Sequence, residues 1–90
     1  MIYILNMYKL SRIGDGAGCT GHLSEAVEYC GWPNNNRLVS DRPTIGCGMV
    51  VLRNLNTYWQ TTLVTEILED TPTYVRFKTK NSEYEWRIIE

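Results

Sequence analysis

The sequence predicts a small, mainly β domain: an antiparallel SH3-like or partly open barrel with one short helix. Three observations predict it. Residues 74–88 alternate apolar and charged side chains on both sides of Asn81-Ser82, as two half-buried strands joined by a turn do. The stretch from Tyr58 to Leu68 is rich in β-branched and aromatic residues, which suit a pleated surface. Turn residues recur between the apolar runs, at Asn54-Leu55-Asn56-Thr57 and at Glu69-Asp70-Thr71-Pro72-Thr73.

Taken in order, residues 1–13 carry Ile2, Ile4, Tyr8, Leu10 and Ile13. Tyr3 and Leu5 are apolar too, so a buried strand is expected, with a short helix as the competitor. Gly14-Asp15-Gly16-Ala17-Gly18 breaks any regular element. A short helix is expected over about 22–30. Leu23, Ala26, Val27 and Cys30 fall at helical spacing there, Glu25 and Glu28 stay on the wet side, and Gly31 is a C′ stop. Thr20 is its candidate N-cap. Trp32-Pro33-Asn34-Asn35-Asn36-Arg37 reads as a loop. A second β region starts near Pro43. Thr44 to Gly48 leads into a short apolar strand, Met49 to Arg53, and Tyr58 to Leu68 forms a long, bent strand. Leu63, Ile67 and Leu68 would also fit a helical stripe. Residues 43–90 thus read as a four-strand meander, whose aromatic face favours curling into a barrel. Residues 1–42 read as an N-terminal extension, with 14–42 across an open end.

A two-residue turn at Asn81-Ser82 would set the final register. Lys80 would face Glu83, Thr79 would face Tyr84, Lys78 would face Glu85, Phe77 would face Trp86, and Val75 would face Ile88. One face would then hold Val75, Phe77, Thr79, Tyr84, Trp86 and Ile88. The other would hold two charge pairs and one repulsive pair, Arg76 against Arg87.

Ninety residues allow one domain with a modest core. The hydrophobic share of 43% suits a folded chain. A net charge of -1 argues against a general nucleic-acid binder and against a polyanionic mimic. Three cysteines are an odd number, unlike the even disulfide sets of small secreted domains. The apolar start has no basic n-region or cleavage site and is too short and polar to span a membrane. A reducing cytoplasm is the expected location.

The stretch Trp59-Gln-Thr-Thr-Leu-Val-Thr-Glu-Ile67, followed by Phe77-Lys-Thr-Lys-Asn-Ser-Glu-Tyr84, resembles a pattern in small uncharacterised phage and prophage proteins. Those carry Thr-Thr/Ser before a Val…Ile strand, then a Phe-x-Thr-x-Asn-Ser-x-Tyr hairpin. The resemblance covers roughly residues 43–88. It implies a small cytoplasmic accessory protein of viral type and transfers no site residue.

Four groups of residues carry candidate chemistry. Gly16, Gly18 and Gly21 fit G-x-G-x-x-G before the expected helix, where backbone N–H groups could meet phosphate. Asp15 opposes an anion there, and a loop entering a helix explains the glycines. Cys19, His22, Cys30 and Cys47 match a tetrahedral zinc ligand count. They lack a second close pair, and Cys30 suits the apolar stripe. Cys19 and His22 as a nucleophile pair lack an orienting acid. Arg76, Lys78 and Lys80 project from one strand and could track nucleic acid, but paired glutamates point to a solvated face. Trp32, Trp59 and Trp86 are many for this length. Trp86 belongs to the core, whereas Trp32 and Trp59 could anchor a partner.

The expected function is binding rather than catalysis, with no cofactor. The specific form is a protein that inhibits a host defence protein by covering its surface, as an anti-CRISPR protein would. Trp32, Arg37, Arg53, Tyr58 and Trp59 are the expected contact residues, with a homodimer as one form that presents them. Two alternatives remain at this stage. One is a sponge for a small nucleotide, using Gly16, Gly18, Gly21 and Arg37 or Arg42. The other is a nucleic-acid module built on Arg76, Lys78 and Lys80.

Overall fold

The computed structural model describes residues 6–29 and 36–89. Among them every regular element is a β-strand. These are β1 Tyr8–Arg12, β2 Gly18–Gly21, β3 Leu23–Tyr29, β4 Asn36–Ser40, β5 Gly48–Asn54, β6 Thr57–Thr71, β7 Tyr74–Thr79 and β8 Glu83–Ile88. They join in one antiparallel sheet, in the order β2-β1-β8-β7-β6-β5-β3-β4. The strands β5 to β8 are a meander. The residues ahead of them are not an appendage: β1 and β2 extend the sheet beyond β8, while β3 and β4 extend it beyond β5. Among the described residues no helix is long and apolar enough to cross a membrane.

The long strand β6 organises the rest. Its first half pairs with β5 and its second half with β7, and the register shifts in both ladders. Each shift is an extra residue that bends and twists the strand. Thr61 supports one of them, because its Oγ1 accepts the Met49 N–H at 3.0 Å and donates to the Thr62 carbonyl at 2.7 Å. The curl brings the far end of the sheet back, so that β2 meets the β5–β6 turn. Cys19 Sγ lies 3.8 Å from the Thr57 carbonyl oxygen. Gly21 approaches so closely that a Cβ there would sit 2.2 Å from the Leu52 carbonyl oxygen. Only glycine permits that approach.

The core fills the concave side of this curl. Leu10, Ala26, Met49, Val51, Val64, Val75, Phe77 and Trp86 are essentially inaccessible, with Tyr8, Cys47 and Tyr84 beside them. Tyr8 stacks on Trp86 at 5.7 Å, and Phe77 on Tyr84 at 5.4 Å. One polar link crosses the core: the Trp86 Nε1–H donates to Ser24 Oγ at 2.8 Å, and Ser24 Oγ donates to the Asp41 carbonyl at 2.7 Å. It ties β8 to β3.

The expected helix over 22–30 is corrected to strand β3 for residues 23–29. Its inward residues are Ser24 and Ala26, both buried, and Leu23 points out to solvent. The inward pair is small and half polar, so its period of two is faint, and the spacing of Leu23, Ala26 and Val27 imitates a helix. Cys30, Gly31 and Trp32 lie outside the described residues, as do Ile2 and Ile4. Arg37 belongs to β4 rather than to a loop.

The final hairpin keeps its expected inner face but not its register. Phe77 faces Tyr84, Val75 faces Trp86, Arg76 faces Glu85 and Lys78 faces Glu83. The pairing is displaced by two residues, which preserves side-chain parity and hence both faces. Two physical reasons favour it. A two-residue hairpin turn needs positive φ, which Asn81-Ser82 serves poorly without glycine. The observed connection closes instead with the Thr79 N–H donating to the Ser82 carbonyl at 2.9 Å. The displacement also replaces the Arg76–Arg87 repulsion with Arg76 opposite Glu85 and ion-paired to Glu83.

Candidate protein-binding face

Cross-strand partners in a sheet project from the same side, so the pairing places every outward side chain in a row. On the half of the sheet formed by β4, β3, β5 and the start of β6 there are three such rows. The first runs Leu38, Val27, Gly48, Leu63. The second runs Glu25, Val50, Gln60, and the third Leu23, Leu52, Tyr58. The outermost are strongly exposed for apolar groups: Leu23 45%, Leu38 60%, Tyr58 54% and Leu63 44%. Val27, Val50 and Leu52 are half-buried between them. A shallow cleft of about 600 Å³ follows β6 along Tyr58–Leu63.

The convex face of the other half differs. Its rows are Glu66–Lys78–Glu83 and Glu69–Arg76–Glu85–Ser11, then Thr71–Tyr74–Arg87–Lys9. In the first two rows charges alternate in sign from strand to strand, the arrangement of a solvated sheet face, whereas in the third Arg87 stands opposite Lys9. Hydrogen bonding to Glu83, and then its charge, raises the Arg76 pKa above its ordinary value. One sheet therefore carries a salt-bridged exterior on one half and, on the other, a mainly apolar exterior interrupted by Glu25 and Gln60. Exposed apolar side chains gathered in this way are what a candidate docking surface presents.

The other expected contact residues fall in different places. Tyr58 stands at the end of the third row. Trp59, one residue on, turns to the concave side, pairs with Val51 and packs against the core. The Arg12 guanidinium lies 5.5 Å from its ring, and its Nε1–H is buried with no acceptor. Trp59 is half-buried and also lines the cleft along β6. Arg37 pairs with Glu28 across the β3–β4 ladder, and Arg53 is exposed near the β5–β6 turn. Trp32 lies outside the described residues.

The alternative sites lose their geometric premises. Gly16, Gly18 and Gly21 belong to the β1–β2 hairpin and β2, and a strand follows them, so no helix N-terminus faces the loop. Gly18 is needed for packing, since a Cβ there would sit 1.9 Å from the Leu10 carbonyl oxygen. The Asp15 carboxylate caps the hairpin turn by accepting from Arg12 Nε at 3.1 Å and from the Ala17 N–H at 3.1 Å. These bonds hold its pKa down at about 2, the Arg12 hydrogen bond being the largest cause. Cys47 is a core residue, Cys19 is half-buried on β2 and His22 is exposed between β2 and β3. Among the described residues no three His, Cys, Asp or Glu side chains converge as metal ligands. Arg76 and Lys78 are flanked by carboxylates on both sides, and Lys80 is exposed in the β7–β8 loop. The charge needed to neutralise successive phosphates is not gathered there.

Leu23, Leu38, Leu52 and Leu63 are the functional candidates that sequence reasoning missed. Leu23 and Leu63 looked like parts of helical stripes. The signal that could have found them is the pair Leu38-Val39, an apolar step directly after a polar loop. No family model, curated protein or solved structure matches the chain.

Proposed function

We propose that this chain is a binding protein of viral type, not an enzyme, which covers the surface of a host protein. The specific form is a cytoplasmic inhibitor of a host defence protein, anti-CRISPR-like, built as a partly open β-barrel. The observation that carries the reading is the apolar convex face of β4, β3, β5 and β6, with Tyr58 and four leucines at its centre and rim. A sheet normally buries one face and wets the other. Leaving both faces apolar on one half lowers solubility unless a partner covers the second. An aromatic residue amid aliphatic neighbours is the composition of interface hot spots. The resemblance of residues 43–88 to small phage proteins supplies the viral setting and supports occlusion as the mechanism.

The test is a plating assay on bacterial strains that each carry one defined defence system, with the chain expressed from a plasmid. Wild-type protein is expected to restore phage plating on at least one strain. Tyr58→Asp and Leu63→Asp, shown to be folded by circular dichroism, are expected to reduce that restoration by tenfold or more, about 1.4 kcal/mol or greater at the interface. Full activity in both folded variants would exclude this face as the site of action.

A further inference from the structure

Resting on that reading, we infer that the partner presents an amphipathic helix whose apolar stripe is interrupted by one arginine or lysine, which pairs with Glu25. Glu25 stands in the middle row of the apolar face, between Leu23 and Val27 along its strand and opposite Val50. Among the described residues it makes no ion pair, whereas Glu28, Glu83 and Glu85 each hold an arginine. A partner that covered this face with apolar groups alone would strip water from an uncompensated carboxylate, which binding strongly disfavours. A second copy of the chain fits poorly for the same reason. Laid face to face about an axis through the patch, it would bring Glu25 against Glu25. A cation between two apolar anchors meets both requirements.

The row spacing sets the geometry of that partner. Successive rows lie two residues apart along a strand, about 7 Å, so the first and third rows are about 13 Å apart. A helix rising about 1.5 Å per residue covers most of that span in about eight residues, about 12 Å, which also keeps both anchors on one face, with the cation about four residues after the first anchor. A helix laid on a sheet face is one of the stable layer arrangements.

The experiment is an NMR titration of the isotopically labelled full chain with two synthetic helical peptides. Both carry two apolar anchors about eight residues apart, on one face of the helix. One has arginine midway and the other has glutamate there. The arginine peptide is expected to shift the amides of Leu23, Glu25, Leu52, Tyr58 and Leu63 and to bind about tenfold more tightly than its glutamate counterpart. The Glu25→Gln variant is expected to bind both peptides alike. Equal binding of the two peptides to wild type on this face overturns the charge match and leaves the docking face standing. Shifts confined to β7 and β8, or none at either peptide, overturn both. Concentration-dependent dimers of the free chain that broaden these same amides assign the face to a second copy and overturn the inference.

Discussion

One buried hydrogen bond ties strand β3 to β8 across the core, and removing it tests the fold directly. Ser24 Oγ accepts from Trp86 Nε1 and donates to the Asp41 carbonyl; Ser24 is 5% exposed and Trp86 1%. In Ser24→Ala the indole N–H keeps its burial and loses its acceptor. An orphaned buried donor costs about 1–3 kcal/mol. The Asp41 carbonyl belongs to an exposed residue, so water can replace its donor and it adds little. In a domain of this size 1 kcal/mol lowers Tm by about 4–8 °C, which places the Ser24→Ala Tm roughly 5–20 °C below wild type. Trp86→Phe removes the same bond from the other side and adds a cavity where the indole was, for about 2–4 kcal/mol. The double variant loses the shared bond only once. Its cost falls short of the sum of the single ones by about 1–2 kcal/mol. Urea unfolding followed by far-ultraviolet circular dichroism, which does not depend on the altered indole, measures all four corners. Additive costs, to within about 0.4 kcal/mol, refute the arrangement. They would mean that residue 24 does not meet residue 86, as in the helix suggested by Leu23, Ala26 and Val27.

Three further outcomes follow from particular contacts. Gly21→Ala meets the Leu52–Arg53 backbone, with 2.2 Å to the Leu52 carbonyl oxygen, and is expected to cost about 3 kcal/mol or more. Gly14→Ala, strained only by its φ of 116°, costs about 1–2 kcal/mol; thermal unfolding ranks the two, and the reverse order contradicts the closure of β2 on β5. Arg76→Glu places a negative charge opposite Glu85 and Glu69 and beside Glu83, so Tm should fall at low salt. Had Asn81-Ser82 been a two-residue turn, the same change would relieve repulsion from Arg87 and raise Tm. The Asp15 carboxyl should titrate near pH 2 by carbon-detected NMR. A folded pKa below the ordinary value of about 4 means that the carboxylate stabilises the β1–β2 turn above that value. That contribution is lost as pH falls through about 2, and Arg12→Gln should move the titration back up.

What local chemistry dictates was legible from the sequence. The alternation of Val75, Phe77, Thr79, Tyr84 and Trp86 names the buried face of the last hairpin whatever its register, because a strand has a period of two and a displacement by two preserves it. The turns at Leu55-Asn56 and Pro72-Thr73 and the long strand between them follow from turn residues and β-branched content. Tertiary structure decided the rest. The hairpin register was settled by charges facing one another across strands and by the loop that Thr79 and Ser82 close. Strand β3 exists because the core beside Trp86 accepts only a small, hydrogen-bonding inward face. Ser24 and Ala26 provide that face, with no periodic signal strong enough to compete with the helical spacing around them. The candidate site is the least legible part. Leu23, Glu25, Leu38, Leu52, Tyr58 and Leu63 come from four strands and become one surface only through pairing between residues far apart in the chain. Each of them alone is an ordinary exposed or half-buried side chain.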